Sequence, residues 1–262
     1  MKELLTYWHV SIPALIITVL LLWFHFWSNG YRFTKKSPQY LSGVILFIFI
    51  TMSPLDYLGH SYLFSVHMIQ HIMLLLIIPP MLLSSTDSNF FEKLLKNQTF
   101  KKIGKILFHP LVAWMLGVGS MWVWHIPSLY VAMKESMPLM TLNIVSMLVF
   151  GLIFIWPVFA PVRYMKLDAL QTALFLFTAC VGCTVLGIYI TFMPDSLYTS
   201  ILTGHNEMIM SLVRGNWGIT PAIDQQMGGL IMWVPACFIY VTNILIGLAK
   251  WFRTPETENV NR

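Results

Sequence analysis

Two histidines four residues apart, His67 and His71, stand inside the apolar stretch "SVHMIQHIMLLLIIPPML" (residues 65–82). Side chains at i and i+4 are neighbours on one helix face, so the pair can hold one metal ion, and neutral imidazole suits copper, zinc, iron or nickel. At about 100° per residue, His60, His67 and His71 fall within about 20° of one line, a single stripe on a continuous helix. The competing reading is a set of polar residues that hydrogen-bond across a helix bundle. His125, in "WVWHIPSLY", sits where Pro127 must end a helix. It is a third ligand or an interfacial polar residue. Asp56 in "SPLDYLGH" and Asp224 with Gln225 in "DQQMGGLIMWVP" are placed at the same level. A carboxylate there can orient a ligating imidazole through its second nitrogen, and Asp224 equally reads as a helix N-cap.

Other candidates point to packing rather than chemistry. The chain has 17 methionines, most of them apolar filling; Met68 and Met73 flank the histidine pair but project away from or beside its stripe on an ideal helix. Cys180 and Cys183 in "ACVGC" are adjacent on a helix and could bind copper transiently, but small residues at a helix contact, with Gly182 and Gly187, explain them more simply. Three cysteines provide no disulfide framework. Trp122, Trp124 and Tyr130 read as an interfacial aromatic belt. The pair Pro79-Pro80 is expected to push Ile78 out of helical conformation and to end or bend its helix.

The elements that position these residues follow from composition. Of 262 residues 57% are hydrophobic and 10% charged, with mean hydropathy +0.70; soluble domains carry about 25% charge. The solvent for most of the chain is lipid. Seven stretches, 10–28, 39–56, 61–83, 107–126, 138–160, 168–192 and 226–249, are long enough to cross a core about 30 Å thick as helices. The first ends in aromatic residues without a small-x-small site, so it reads as a retained span rather than a signal peptide. No polar block could form a separate domain, so residues 1–262 read as one all-α domain, a seven-transmembrane-helix bundle. Thirteen of the sixteen Lys and Arg lie after spans one, three and five and in the tail; Lys2, Lys134 and Arg214 lie on the other side. That bias places the N-terminus outside and the C-terminus in the cytoplasm. The basic segment 85–106 is a cytoplasmic loop able to lie on anionic headgroups. Segment 193–225, with Asp195, His205, Glu207, Arg214 and Asp224, is polar enough to cap the outer end. The basic pI of about 9.1 fits topology and anionic lipid; nothing indicates nucleic acid.

Taken together, "HMIQHIMLLLIIPPML", "WHIPSLY", "FGLIFIWPV" and "DQQMGGLIMWVP" resemble the signature blocks of the multispan CtaG family of cytochrome c oxidase assembly factors, of the Gram-positive type. The resemblance spans helices three to seven. It implies a multi-pass protein of the bacterial cytoplasmic membrane that helps copper reach the catalytic subunit of a haem–copper oxidase, with other copper chaperones among the candidate partners. Carried onto matching positions, it implicates His67, Gln70, His71, His125, Asp224 and Gln225. His60, His9 and His205 rest on depth alone. Two other classes stay open: a haem protein using His71 with His125, or His25 with His109, and a transporter using the stripe as a relay. The second is opposed by "IMLLLIIPP", which offers no polar group beneath His71. No nucleophile–base pair or phosphate loop marks an enzyme.

Overall fold

A computed structural model of the chain describes residues 7–194, 198, 204 and 206–253. His205, Asp195, Lys2 and Arg262 lie outside the described residues. Every regular element among the described residues is helical: α1 Ile12–Ser28, α2 Ser37–Met52, α3 Pro54–Ser61, α4 Phe64–Leu83, α5 Ser88–Leu94, α6 Gln98–Leu107, α7 Pro110–Trp124, α8 Pro127–Glu135, α9 Met137–Phe159, α10 Ala169–Phe192, α11 Glu207–Met210 and α12 Pro221–Arg253. The sequence explains their starts. Proline occupies the first turn of α2, α3, α7, α8 and α9, where its missing N–H costs nothing. Asp87, Asn97, His109 and Asp168 accept from the first free N–H groups of α5, α6, α7 and α10.

Helices α4, α9, α10 and α12 are long and apolar enough to cross a membrane. Counting each bent pair as one span, α2 with α3 (47°) and α6 with α7 (57°), raises the number to six, and α1 is a shorter apolar helix of 17 residues. Exposure is inverted relative to a water-soluble protein. Leu174, Phe177, Phe238 and Leu245 face outward, whereas Asp56, His67, His71, His125, Asn143, Asp224 and Gln225 are buried. Such an arrangement suits lipid outside and a satisfied polar interior.

Three expectations need correction. The stripe from His60 to His71 is broken, because α3 ends at Ser61 and Leu63 is extended before α4 begins at Phe64. Ile78 keeps helical dihedrals, and α4 runs through both prolines to Leu83. It does so by widening into a π turn at Met73–Ile77, which relieves the clash of a proline ring with the carbonyl one turn back. Cys180 is not merely a packing residue: it is disulfide-bonded to Cys237 of α12, with Cα atoms 5.3 Å apart. Cys183 is a buried free thiol, its Sγ 3.7 Å from Tyr240 Oη. Packing does hold for Gly182, which faces Trp114 and Val118, and for Gly187 against Trp233.

α10 and α12 form the most extensive helix pair, α12 also crosses α4, and α9 runs between α4 and α7. Gly151 of α9 makes that last approach possible, since a Cβ there would lie 2.8 Å from both Leu74 O and Pro79 Cγ. Gly151→Val is therefore expected to cost about 1–3 kcal/mol by overpacking and to lower the melting temperature in detergent. Gly119→Ala, where nothing lies within 4 Å, leaves it unchanged or slightly raised.

Candidate functional site

One end of the bundle buries a layer of imidazoles. The α4 histidines face each other with ring centroids 4.4 Å apart, and His125, at the C-cap of α7, meets His71 edge-on at 5.2 Å. Each ring commits one nitrogen to the protein. His67 Nδ1 lies 3.3 Å from Gln70 Oε1, and the Gln70 amide is oriented because its Nε2 donates to Ile50 O and Asp56 Oδ1. His71 Nε2 lies 3.3 Å from Asn143 Oδ1. His125 Nδ1 lies 2.6 Å from Met121 O. Since all three partners are acceptors, the protons sit on those nitrogens and the lone pairs on His67 Nε2, His71 Nδ1 and His125 Nε2. The first two have no partner; the third lies 3.2 Å from Met68 Sδ.

The donors share a layer but are not a formed ligand set. Among the described residues no three His, Cys, Asp or Glu side chains are arranged to hold a metal ion. Holding one ion requires the rings to turn toward a common point. Orphaned imidazole nitrogens beside a thioether nonetheless match the donor chemistry of a soft or borderline ion. The edge-on contact of His71 with His125 leaves no gap for a porphyrin. On the opposite end, His25 bonds Ser37 and Asn29 and stacks on Tyr40, and His109 caps α7 through Nδ1. Both are structural.

The supporting residues divide. Gln70 meets His67 directly, whereas Asp56 bonds Gln70 rather than a ring of the layer, and the chain His67–Gln70–Asp56 runs outward to His9, whose Nε2 is 3.1 Å from Asp56 Oδ2. Among the described residues Asp224 makes no hydrogen bond to an imidazole. Its carboxylate accepts from Phe64 N, Ser65 N and Ser65 Oγ at 2.8, 3.0 and 2.6 Å, so it caps α4 from another helix. Gln225 donates toward the carbonyls of Ile190, Met193 and Pro194 at the end of α10 and accepts from Tyr198 N. Tyr198 Oη in turn donates to His125 O at 2.6 Å. His60 makes no ring contact with the other histidines among the described residues; its carbonyl, with that of Gly59, accepts from Lys134 Nζ.

Several residues stand at the site that the sequence assigned to other roles or passed over. Met68 reaches His125 and Asn143 reaches His71. Tyr130 and Trp124 are buried rather than interfacial: Tyr130 stands 5.8 Å from the His67 ring, and Trp124 donates to Ser146. Only Trp122 keeps the exposure expected of the belt. Lys134 of α8 lies 5.3 Å over the Tyr130 ring and is 9% exposed, with burial pulling its ammonium down to about 7. A "YVAMK" stretch preceding a polar loop carries no signal that its lysine turns inward.

A family model described as cytochrome c oxidase caa3 assembly factor matches residues 20–254. The chain belongs to that family. No curated protein and no solved structure matches it. The match takes in every residue of the imidazole layer and its caps, and leaves out His9, which joins this caa3 assembly factor's network only through Asp56.

That contact has a measurable sign. The hydrogen bond to Asp56 raises the His9 pKa above 6.5, against partial burial. A raised value means the contact stabilises fully below 6.5 and is lost as pH rises through the folded-state value. NMR titration is expected to place His9 above 6.5 in the wild type and lower in Asp56→Asn. A second expectation concerns the cap: Asp224→Ala strands two N–H groups and a hydroxyl, so it should cost more than about 1.5–3 kcal/mol, the worth of one hydrogen bond to a charged group, read as a lowered melting temperature.

Proposed function

We propose that this caa3 assembly factor is a multi-pass protein of the bacterial cytoplasmic membrane with seven crossings. In this reading α1 and α7 are short crossings, α2 with α3 serves as one, and α6, bent 57° from α7, turns into the cytoplasmic headgroup layer. The placement of thirteen of sixteen Lys and Arg at one end supports an external N-terminus and a cytoplasmic C-terminus. The imidazole layer then lies in the outer half of the membrane.

The function supported best is to hold cuprous copper as cargo and pass it to the catalytic subunit of cytochrome c oxidase, receiving it from other copper chaperones. His67 Nε2, His71 Nδ1 and His125 Nε2 would supply the nitrogen donors and Met68 Sδ a soft fourth. His60 is left out because the break before α4 removes it from the layer. The observation that carries the reading is that His67 and His71 each fix one nitrogen on a protein acceptor and leave the other buried without a partner. Leaving a buried polar atom unpaired costs about 1–3 kcal/mol, a cost that a bound ion removes. Ligating imidazoles characteristically donate their second N–H to a protein group, as all three rings do here. Neutral imidazole with thioether suits Cu(I), and several weakly held donors allow the ion to leave by ligand exchange. The role is binding and transfer, not turnover.

The test is competition for Cu(I) against a chromophoric chelator with purified full-length protein. Wild type should bind one ion. The double variant His67→Ala/His71→Ala should weaken binding by more than about 100-fold, and Gln70→Leu by about 10–100-fold, the range for losing a group that orients a ligand. Tight binding unchanged in the double variant would overturn the site. In a deletion strain, oxidase activity rescued by added copper supports delivery, whereas copper-replete but unassembled subunits would indicate scaffolding.

A further inference from the structure

The opposite end of the bundle carries a cleft of about 680 Å³ whose lining includes Arg32, Lys35, Lys36 and Lys166, from the α1–α2 and α9–α10 connections. Among the described residues none of these four cations pairs with a carboxylate; the ion pair His9–Asp56 lies at the other end. Asp87 also lines the cleft, but its carboxylate is engaged by Asn89, as the cap of α5. The hydroxyls of Ser84, Ser85 and Thr86 already donate to carbonyls one turn back, so what the cleft offers a ligand is chiefly positive charge. The crowding is real enough that burial, with Lys250, Lys36 and Arg163, pulls the Lys166 pKa below its ordinary value. An anion in the cleft would relieve it.

Thr86 lines a second cavity as well, an apolar groove of about 240 Å³ walled by Phe24, Leu82, Leu107, Phe108 and Ile153. The groove lies deeper in the bundle. On α1 it is lined by Leu21 and Phe24, and the cleft by Asn29, a separation of about 8–12 Å at about 1.5 Å per residue. Beside its mouth α6 presents Phe100, Ile103 and Ile106 outward and carries Lys101, Lys102 and Lys105, the character of a helix lying in a headgroup layer.

A basic cleft that shares Thr86 with an adjacent apolar groove offers the two surfaces that one amphiphile needs. We propose that Arg32, Lys35, Lys36 and Lys166 bind the phosphate headgroup of an anionic phospholipid while one acyl chain occupies the groove beneath Thr86. Inorganic phosphate shares the headgroup chemistry but has nothing to place in the groove. Positive charge on this side of the bundle meets the anionic cytoplasmic leaflet, and basic pockets between helices on that side select such lipids.

Native mass spectrometry of the full-length protein with equimolar phosphatidylglycerol and phosphatidylcholine tests this. Wild type should retain phosphatidylglycerol by about tenfold or more over phosphatidylcholine, and Arg32→Gln/Lys36→Gln/Lys166→Gln should retain both nearly equally. Lys93→Gln/Lys96→Gln/Arg253→Gln, which removes as much charge elsewhere, should keep the preference. Equal loss in both triple variants, or no preference in wild type, overturns the site. Displacement of the lipid by inorganic phosphate at the same concentration would assign the cleft to free phosphate and overturn the lipid. All substituted side chains are exposed or half-buried, so the variants are expected to fold.

Discussion

The Asp224 carboxylate is the fixed point of the polar end. A helix start buried in a bundle has N–H groups that water cannot reach, and those of Phe64 and Ser65 are met by a carboxylate from a helix that starts 157 residues later. The negative charge also matches the positive end of the α4 dipole. Gln225, the next residue, closes the carbonyl end of α10. Two adjacent side chains thus lock the beginning of one helix and the end of another onto the beginning of a third. Gly228, one turn on, lets α12 approach Phe64 closely enough for this to happen. The histidines of α4 lie within two turns of the cap, so their positions inherit its rigidity.

Around that point the charges alternate. Asp224 and Asp56 are both buried, and Lys134 and His9 stand among the basic groups at the same end. Lys134 does not sit on a carboxylate. It donates to two carbonyls at the end of α3, the helix terminus that carries partial negative charge. It thereby pins α8 to α3, with Tyr130 of α8 turned toward His67. Around the imidazoles Tyr130 Oη and Asn143 Nδ2 are buried without a partner, as are the inward nitrogens of His67 and His71.

What was legible in the sequence was local. The i, i+4 spacing of His67 and His71 survives because both lie on the regular first part of α4, and Pro127 ends α7 just after His125. The His60 stripe failed because a helical wheel assumes continuity, while Leu63 is extended. Met68 projects off the stripe as its position on the wheel implies, but a wheel gives a side chain's direction and not which helix lies there, and His125 does. Asp224 was recognised as a possible cap, yet a cap for a distant helix leaves no local pattern. Cys237, 57 residues beyond Cys180, gives no spacing signal either. The π turn is similarly silent, since prolines announce a lost donor without saying how the backbone absorbs it.

Beneath the imidazole layer the character changes abruptly. Leu74, Leu75, Leu76 and Ile78 are all buried, and Gly151 brings α9 against the π turn and Pro79. A polar ion or a proton wire would have to cross that layer without a partner, at a cost that buried unpaired charge makes prohibitive. The apolar plug therefore argues against passage of an ion or a proton through the bundle. It also isolates the basic cleft, so that charge at one face and donors at the other do not compete.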